Sequence, residues 1–130
     1  MQTKLRTYLA IASLATLCLS GLLGCAQAPK STYSSVYELK LAYEEAGGDC
    51  SEWVQDNAVL DADDSGNCDG DSVLMVFDSK TSAEYRANAL AEMLSGYGFD
   101  VNLLLGENWL INSPDVELIK PALGGKLVTG

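Results

Sequence analysis

The side chains best equipped for chemistry crowd into one short segment. Asp61-Ala62-Asp63-Asp64-Ser65-Gly66-Asn67-Cys68-Asp69 sets oxygen-bearing residues at alternate positions, Asp61, Asp63, Ser65, Asn67 and Asp69, with Gly66 where a sharp turn would fall. Calcium takes oxygen ligands at this kind of spacing, and a glycine at the sixth position lets the loop fold back around the ion. Counted from Asp61, however, the twelfth position is Ser72 rather than a bidentate glutamate, and the eighth is Cys68. Two readings stand: a weak, millimolar calcium module, and a solvated acidic loop that holds no ion.

Other chemistry is sparsely provided for. The chain has no histidine, which removes Ser-His and Cys-His nucleophile pairs, His-ligated zinc and the commonest general base together. It also lacks the G-x-S-x-G, S-x-x-K, phosphate-loop and G-x-G-x-x-G strings, whose glycines and nucleophiles mark acyl transfer and nucleotide binding. Paired carboxylates can cleave glycosides, but only where an apolar surround raises the pKa of one of them. The acids here sit in polar sequence. The chain therefore reads as a non-enzyme, with a small hydrolase kept as an alternative.

Charge divides the sequence in two. Of 130 residues, the first thirty carry only the cations Lys4, Arg6 and Lys30, and every Asp or Glu lies at Glu38 or beyond. Lys4 and Arg6 precede an uncharged run of Leu, Ala, Ile, Ser, Thr and Cys over residues 9–23, the n-region and h-region of an export signal. Fifteen helical residues span only about 22 Å, short of the ~30 Å hydrocarbon core. The run ends in Leu22-Leu23-Gly24-Cys25, which resembles the lipobox of bacterial lipoproteins, Leu23 standing where Ala or Ser is commoner. That resemblance implies diacylglyceryl attachment to the Cys25 sulfur and cleavage just before it. Two or three acyl chains, at about 0.8 kcal/mol per buried methylene, anchor stably where one does not. Removing residues 1–24 leaves six cations against eighteen anions, a net charge of −12. Such a surface is repelled by phosphate backbones, so nucleic acid is not expected as a partner.

With Cys18 lost in the signal and Cys25 lipidated, Cys50 and Cys68 remain. Outside the cytoplasm two such thiols oxidise to a disulfide, and closing a loop of about 18 residues restricts the unfolded chain by roughly 3 kcal/mol. Their spacing is not the C-x-x-C of a redox site.

The sequence divides into a signal peptide (1–24), a lipidated Cys and flexible tether (25–34) and a small acidic domain (35–130). Ser35-Val36-Tyr37-Glu38 is a capping-box pattern. After it, Val36, Leu39, Tyr43 and Ala46 share a helical face up to Gly47-Gly48. Residues 58–61 read as a short strand, 62–71 as a loop, and the apolar run 73–77 as a buried strand. Thr81-Ser82-Ala83-Glu84 starts a second helix, with Ala83, Ala87, Leu90 and Leu94 as its stripe and Gly96 as its end. Strands are expected over 99–105 and 109–112 around Gly106-Glu107-Asn108, with Gly106 available for positive φ. Ser113-Pro114 would cap a last helix that Pro121 limits to about two turns, and the tail 126–130 would fray. Trp109, opening an apolar strand, reads as core rather than as an exposed ligand platform.

The expected fold is α+β, a small antiparallel sheet with two helices on one face in the order helix-strand-strand-helix-strand-strand. The Asp61–Asp69 segment with its Cys is similar to the extracellular Excalibur calcium motif. The arrangement Ala46-Gly47-Gly48-Asp49-Cys50, then Cys68, then Gly106-Glu107-Asn108-Trp109 resembles small actinobacterial lipoproteins, a likeness that brings no activity with it. The expectation is a lipid-anchored protein on the extracytoplasmic face of the cell membrane, with no required cofactor. Its domain would bind a ligand or an envelope protein partner, the calcium module and the hydrolase being the alternatives.

Overall fold

A computed structural model describes residues 28–130; the signal segment, the lipobox and Cys25 lie outside the described residues. The elements run α1 (Val36–Glu45), β1 (Trp53–Val54), β2 (Asp64–Cys68), β3 (Ser72–Val76), α2 (Lys80–Gly96), β4 (Leu103–Leu105), β5 (Trp109–Asn112), α3 (Val116–Leu123) and β6 (Lys126–Val128). The six strands form one sheet in the order β1-β2-β3-β5-β4-β6, antiparallel at every neighbouring pair. The fold is α+β, as the sequence pattern predicts.

Strand periodicity sorts the core. Leu74, Val76, Leu104, Trp109 and Ile111 point to one side of the sheet, where α1 supplies Val36, Leu39 and Tyr43 and α3 supplies Val116, Ile119 and Leu123. Met75, Phe77, Leu103 and Leu110 point to the other, where α2 supplies Ala83, Ala87 and Ala91. The run 73–77 is apolar without alternation because both of its faces are covered. Two helices do share one face, but they are α1 and α3; α2 lies on the opposite side. The reason is in β3 to β5: α2 carries the chain across to β4, and the β4–β5 hairpin then returns β5 beside β3. Among the described residues, every member of both core clusters lies between Tyr33 and Val128.

Local sequence accounts for most helix ends. Ser35 caps α1 by accepting from the Glu38 N–H at 3.2 Å. The Glu38 carboxylate reaches back to the Ser34 N–H at 3.2 Å and to Lys30 at 2.9 Å. The start of α2 differs from the expected Thr81 box: Ser79 is the cap, accepting from the Ser82 N–H at 3.2 Å, and Asp78 accepts from the Ser82 hydroxyl at 2.8 Å. Ser79 wins because its hydroxyl meets a third-position N–H two residues earlier. Pro121 sits inside α3, which spans eight residues, about two turns as expected.

Several strand assignments change. Residues 58–61 form no strand, and 64–68, expected as loop, form β2. In place of a strand over 99–105, only Leu103–Leu105 pairs, and Phe99 is exposed. The tail does not fray; β6 pairs with β4, from Leu103↔Val128 to Leu105↔Lys126, and closes the sheet edge. Gly106 does not adopt positive φ. It is needed for space, since a Cβ there would overlap the Trp109 indole.

Candidate functional site

Residues 64–68 of the acidic segment form β2, so successive side chains there point to opposite faces, while Asp61, Asp63 and Asp69 lie in the flanking chain. Most of these residues are engaged with a neighbour. Asp61 pairs with Arg86 at 3.1 Å. The backbone N–H of Asp63 donates to the Val76 carbonyl at 2.9 Å. Asp64 accepts from the Val36 N–H at 2.9 Å, capping α1 from across the sheet, and from Gln55 Nε2 at 2.6 Å. Buried Ser65 accepts from the Val59 N–H at 3.1 Å through its Oγ, and its own N–H donates to Asn57 Oδ1 at 3.0 Å. Asn67 Nδ2 donates to Asp56 at 2.7 Å. Gly66 leaves room for the Trp53 ring, which a Cβ would strike.

Asp69, at the β2–β3 turn, accepts from the Ser51 hydroxyl at 2.6 Å and from the N–H groups of Ser51 and Glu52 at 2.9 and 2.8 Å. The Ser51 hydroxyl first, then the Glu52 N–H, hold its carboxyl below the usual aspartate range. Among the described residues no three or more His, Cys, Asp or Glu come together as a metal-holding group. The segment expected as a loop is thus largely one arm of a β-hairpin, and its polar side chains brace the fold.

The two cysteines meet. Cys50 and Cys68 form a disulfide across 18 residues of sequence, tying the chain after α1 to the end of β2. Both are buried in the cluster under α1 and α3.

The stretch expected as a flexible tether is partly docked. Tyr33 is a core residue, 5% exposed, and its ring meets Trp109 edge-on at 6.0 Å between centroids. Its N–H donates to Asn108 Oδ1 at 3.0 Å, Asn108 Nδ2 donates to its carbonyl at 2.8 Å, and Trp109 Nε1 donates to the Ser31 carbonyl at 3.2 Å. Trp109 itself is buried, as expected. The chain is therefore already attached before Ser35, at Lys30, Ser31 and Tyr33. A groove of about 1000 Å³ runs beside this entry between α1 and α3, with Tyr33, Leu41, Ala46 and Pro121 and the charged Lys30, Glu38 and Glu45 in its walls.

A hydroxyl cluster escaped the sequence reading. Tyr43 Oη lies 3.2 Å from Ser72 Oγ, 3.0 Å from Ser113 Oγ and 3.1 Å from Asp115 Oδ2, and the two serine oxygens are 2.9 Å apart. Burial raises the Tyr43 phenol above its ordinary value; bonds from Ser113 and Ser72 oppose that rise and the Asp115 charge adds to it. Serine beside tyrosine and aspartate suggests catalysis. Yet Tyr43, Ser72 and Ser113 are sealed, and the group joins α1, β3 and the start of α3 as a satisfied buried network.

A surface recess with mostly apolar walls lies on the α2 side. The alanine face of α2 draws that helix close to β4 and β5, leaving the outer part of β3 to be covered by residues 58–62. Between helix and loop is a cavity of about 320 Å³ walled by Val59, Leu60, Val73, Met75 and Leu90, with Arg86 and Asn112 as its polar members. Nothing in the sequence pattern marked this seam, because it arises where a helix from one half of the chain meets a loop from the other through the Arg86 side chain.

No family model, curated protein or solved structure matches the chain. The class defined by fold and site is a small disulfide-bonded α+β domain with an apolar seam cavity. No helix among the described residues is long and apolar enough to cross a membrane.

Proposed function

We propose that the chain is an extracytoplasmic lipoprotein whose domain binds a ligand or envelope partner while held at the membrane by acyl chains on Cys25. The observation that carries this reading is how soon after Cys25 the chain becomes fixed. Ser31 is tied to Trp109 and Tyr33 is in the core, so at most residues 26–30 separate lipid from domain. Fully extended, that interval reaches at most roughly 20 Å. The domain is then held close to the headgroups with its Ser31–Tyr33 entry side toward them, concentrated at the membrane. The disulfide also suits an oxidising compartment.

The test is covalent. In a bacterial host supplied with labelled palmitate, the wild-type chain is expected to take up label and partition with detergent. Cys25→Ala is expected to lose both while keeping the Cys50–Cys68 bond. An intact mass that begins at Met1, or an unmodified thiol at Cys25 in the membrane-extracted product, overturns the proposal.

A further inference from the structure

We infer that the cavity between α2 and residues 58–62 is a binding site for a small amphiphilic carboxylate, with Arg86 receiving the charged end. This gives a ligand to the binding role proposed above, but it does not depend on the anchor, so lipidation and ligand binding can fail separately.

Three observations converge there. The first is shape: about 320 Å³ lies at the lower end of the volumes that hold small ligands, about 300–1,000 Å³. The second is the wall. Val59, Val73 and Leu90 are only partly covered, and Leu60 at the mouth is 79% exposed, so apolar area remains there for a ligand to take from water. The third is the cation beside it. Arg86 Nη2 donates to the Leu60 carbonyl and to Asp61, and the side chain is still 23% exposed, so the guanidinium can be approached from the recess.

Charge selects the carboxylate over other acceptors. The wall holds one charged group, the Arg86 guanidinium, and no carboxylate. Its partner Asp61 is 69% exposed, and such a solvated pair is weak enough for an incoming anion to compete with it. Guanidinium bonds to carboxylates are roughly twice as strong as those between neutral groups. The acidic surface elsewhere is screened beyond about 8 Å at physiological ionic strength.

Octanoate is the probe, titrated calorimetrically into the chain from residue 25 carrying Cys25→Ser, so that no acyl chain competes for the cavity. Octanoate is expected to bind and to shift the methyl resonances of Val59, Leu60, Val73 and Leu90, with octanamide weaker and octylamine weaker still. Arg86→Met is expected to weaken octanoate about tenfold or more. Leu90→Trp, which fills the space from the half-buried side of α2, is expected to abolish binding with the fold retained by circular dichroism. If Arg86→Met does not fold, Leu90→Trp and the order of the three probes decide the matter. Absence of heat at millimolar octanoate, octylamine binding as well as octanoate, or shifts confined to the α1–α3 groove each overturn the site.

Discussion

The two faces of the sheet are finished by different means. On one, α1 and α3 lie side by side over Leu74, Val76, Leu104, Trp109 and Ile111, and a disulfide, a docked N-terminal segment and a sealed hydroxyl cluster close the margins. On the other, α2 alone presses alanines onto Leu103 and Leu110, and irregular chain covers the rest. Small side chains give close approach but little reach. A face covered by one such helix leaves a seam, and the seam is where an apolar recess lined by the Arg86 guanidinium is found. The first face supplies stability; the second has the free surface that binding requires.

Adjacent residues of β3 put that contrast to its strongest test. Leu74 is fully buried under the helix pair, whereas Val73 is half-buried at the seam. Leu74→Ala is expected to cost about 2–5 kcal/mol, the range for truncating a sealed core residue. Val73→Ala is expected to cost about 1 kcal/mol, since a half-buried valine has removed only part of its apolar area from water. Urea denaturation of the two variants measures both. Equal losses would mean that the α2 face is as tightly closed as the other.

The disulfide gives the next effect in size. Replacing Cys50 and Cys68 together by alanine is expected to lower stability by about 3 kcal/mol, the entropic value for a loop of this length. Octanoate binding at the seam is expected to survive under conditions where the variant remains folded. A variant that folds normally yet no longer binds octanoate would show the faces to be coupled, contrary to the division drawn here.

What the sequence made legible follows the same division. Helical stripes such as Val36, Leu39 and Tyr43, the β5 tetrad from Trp109 to Asn112, the Cys50–Cys68 bond and the interior place of Trp109 rest on local periodicity or on chemical exclusion, and all are found in the structure. β2 was not legible. Asp, Gly and Asn are poor strand formers, and the segment is held as a strand by partners outside it: Asp64 meets an α1 N–H, Ser65 the Val59 N–H and Asn57 Oδ1, Gly66 a tryptophan ring and Cys68 its disulfide. Likewise Gly106 announced a turn, whereas its smallness serves Trp109. The cavity had no signal of its own, because Val59, Val73, Arg86 and Leu90 are unremarkable singly and acquire meaning only once a helix and a loop are set against one sheet.

Asp69 is the smallest of the tests and bears on what the acidic segment is for. Its carboxylate takes three hydrogen bonds from Ser51 and Glu52 beside the disulfide, and these depress its pKa. A carboxyl whose folded pKa lies below its unfolded value, ordinarily about 3.9, adds stability above that value and loses it as pH falls through the folded pKa. Asp69→Asn removes the charge and turns one acceptor into a donor, so it is expected to be the less stable protein at neutral pH. The gap from wild type should close as both are acidified below pH ~4. Glu38 and Asp78, also depressed by hydrogen bonds, titrate alike in both proteins and cancel from the difference. Thermal melts across this pH range, repeated with millimolar calcium, separate bracing from ion binding. Bracing gives a pH-dependent gap that calcium leaves unchanged, whereas a melting temperature raised by calcium in the wild type alone would return these acids to the role of ligands.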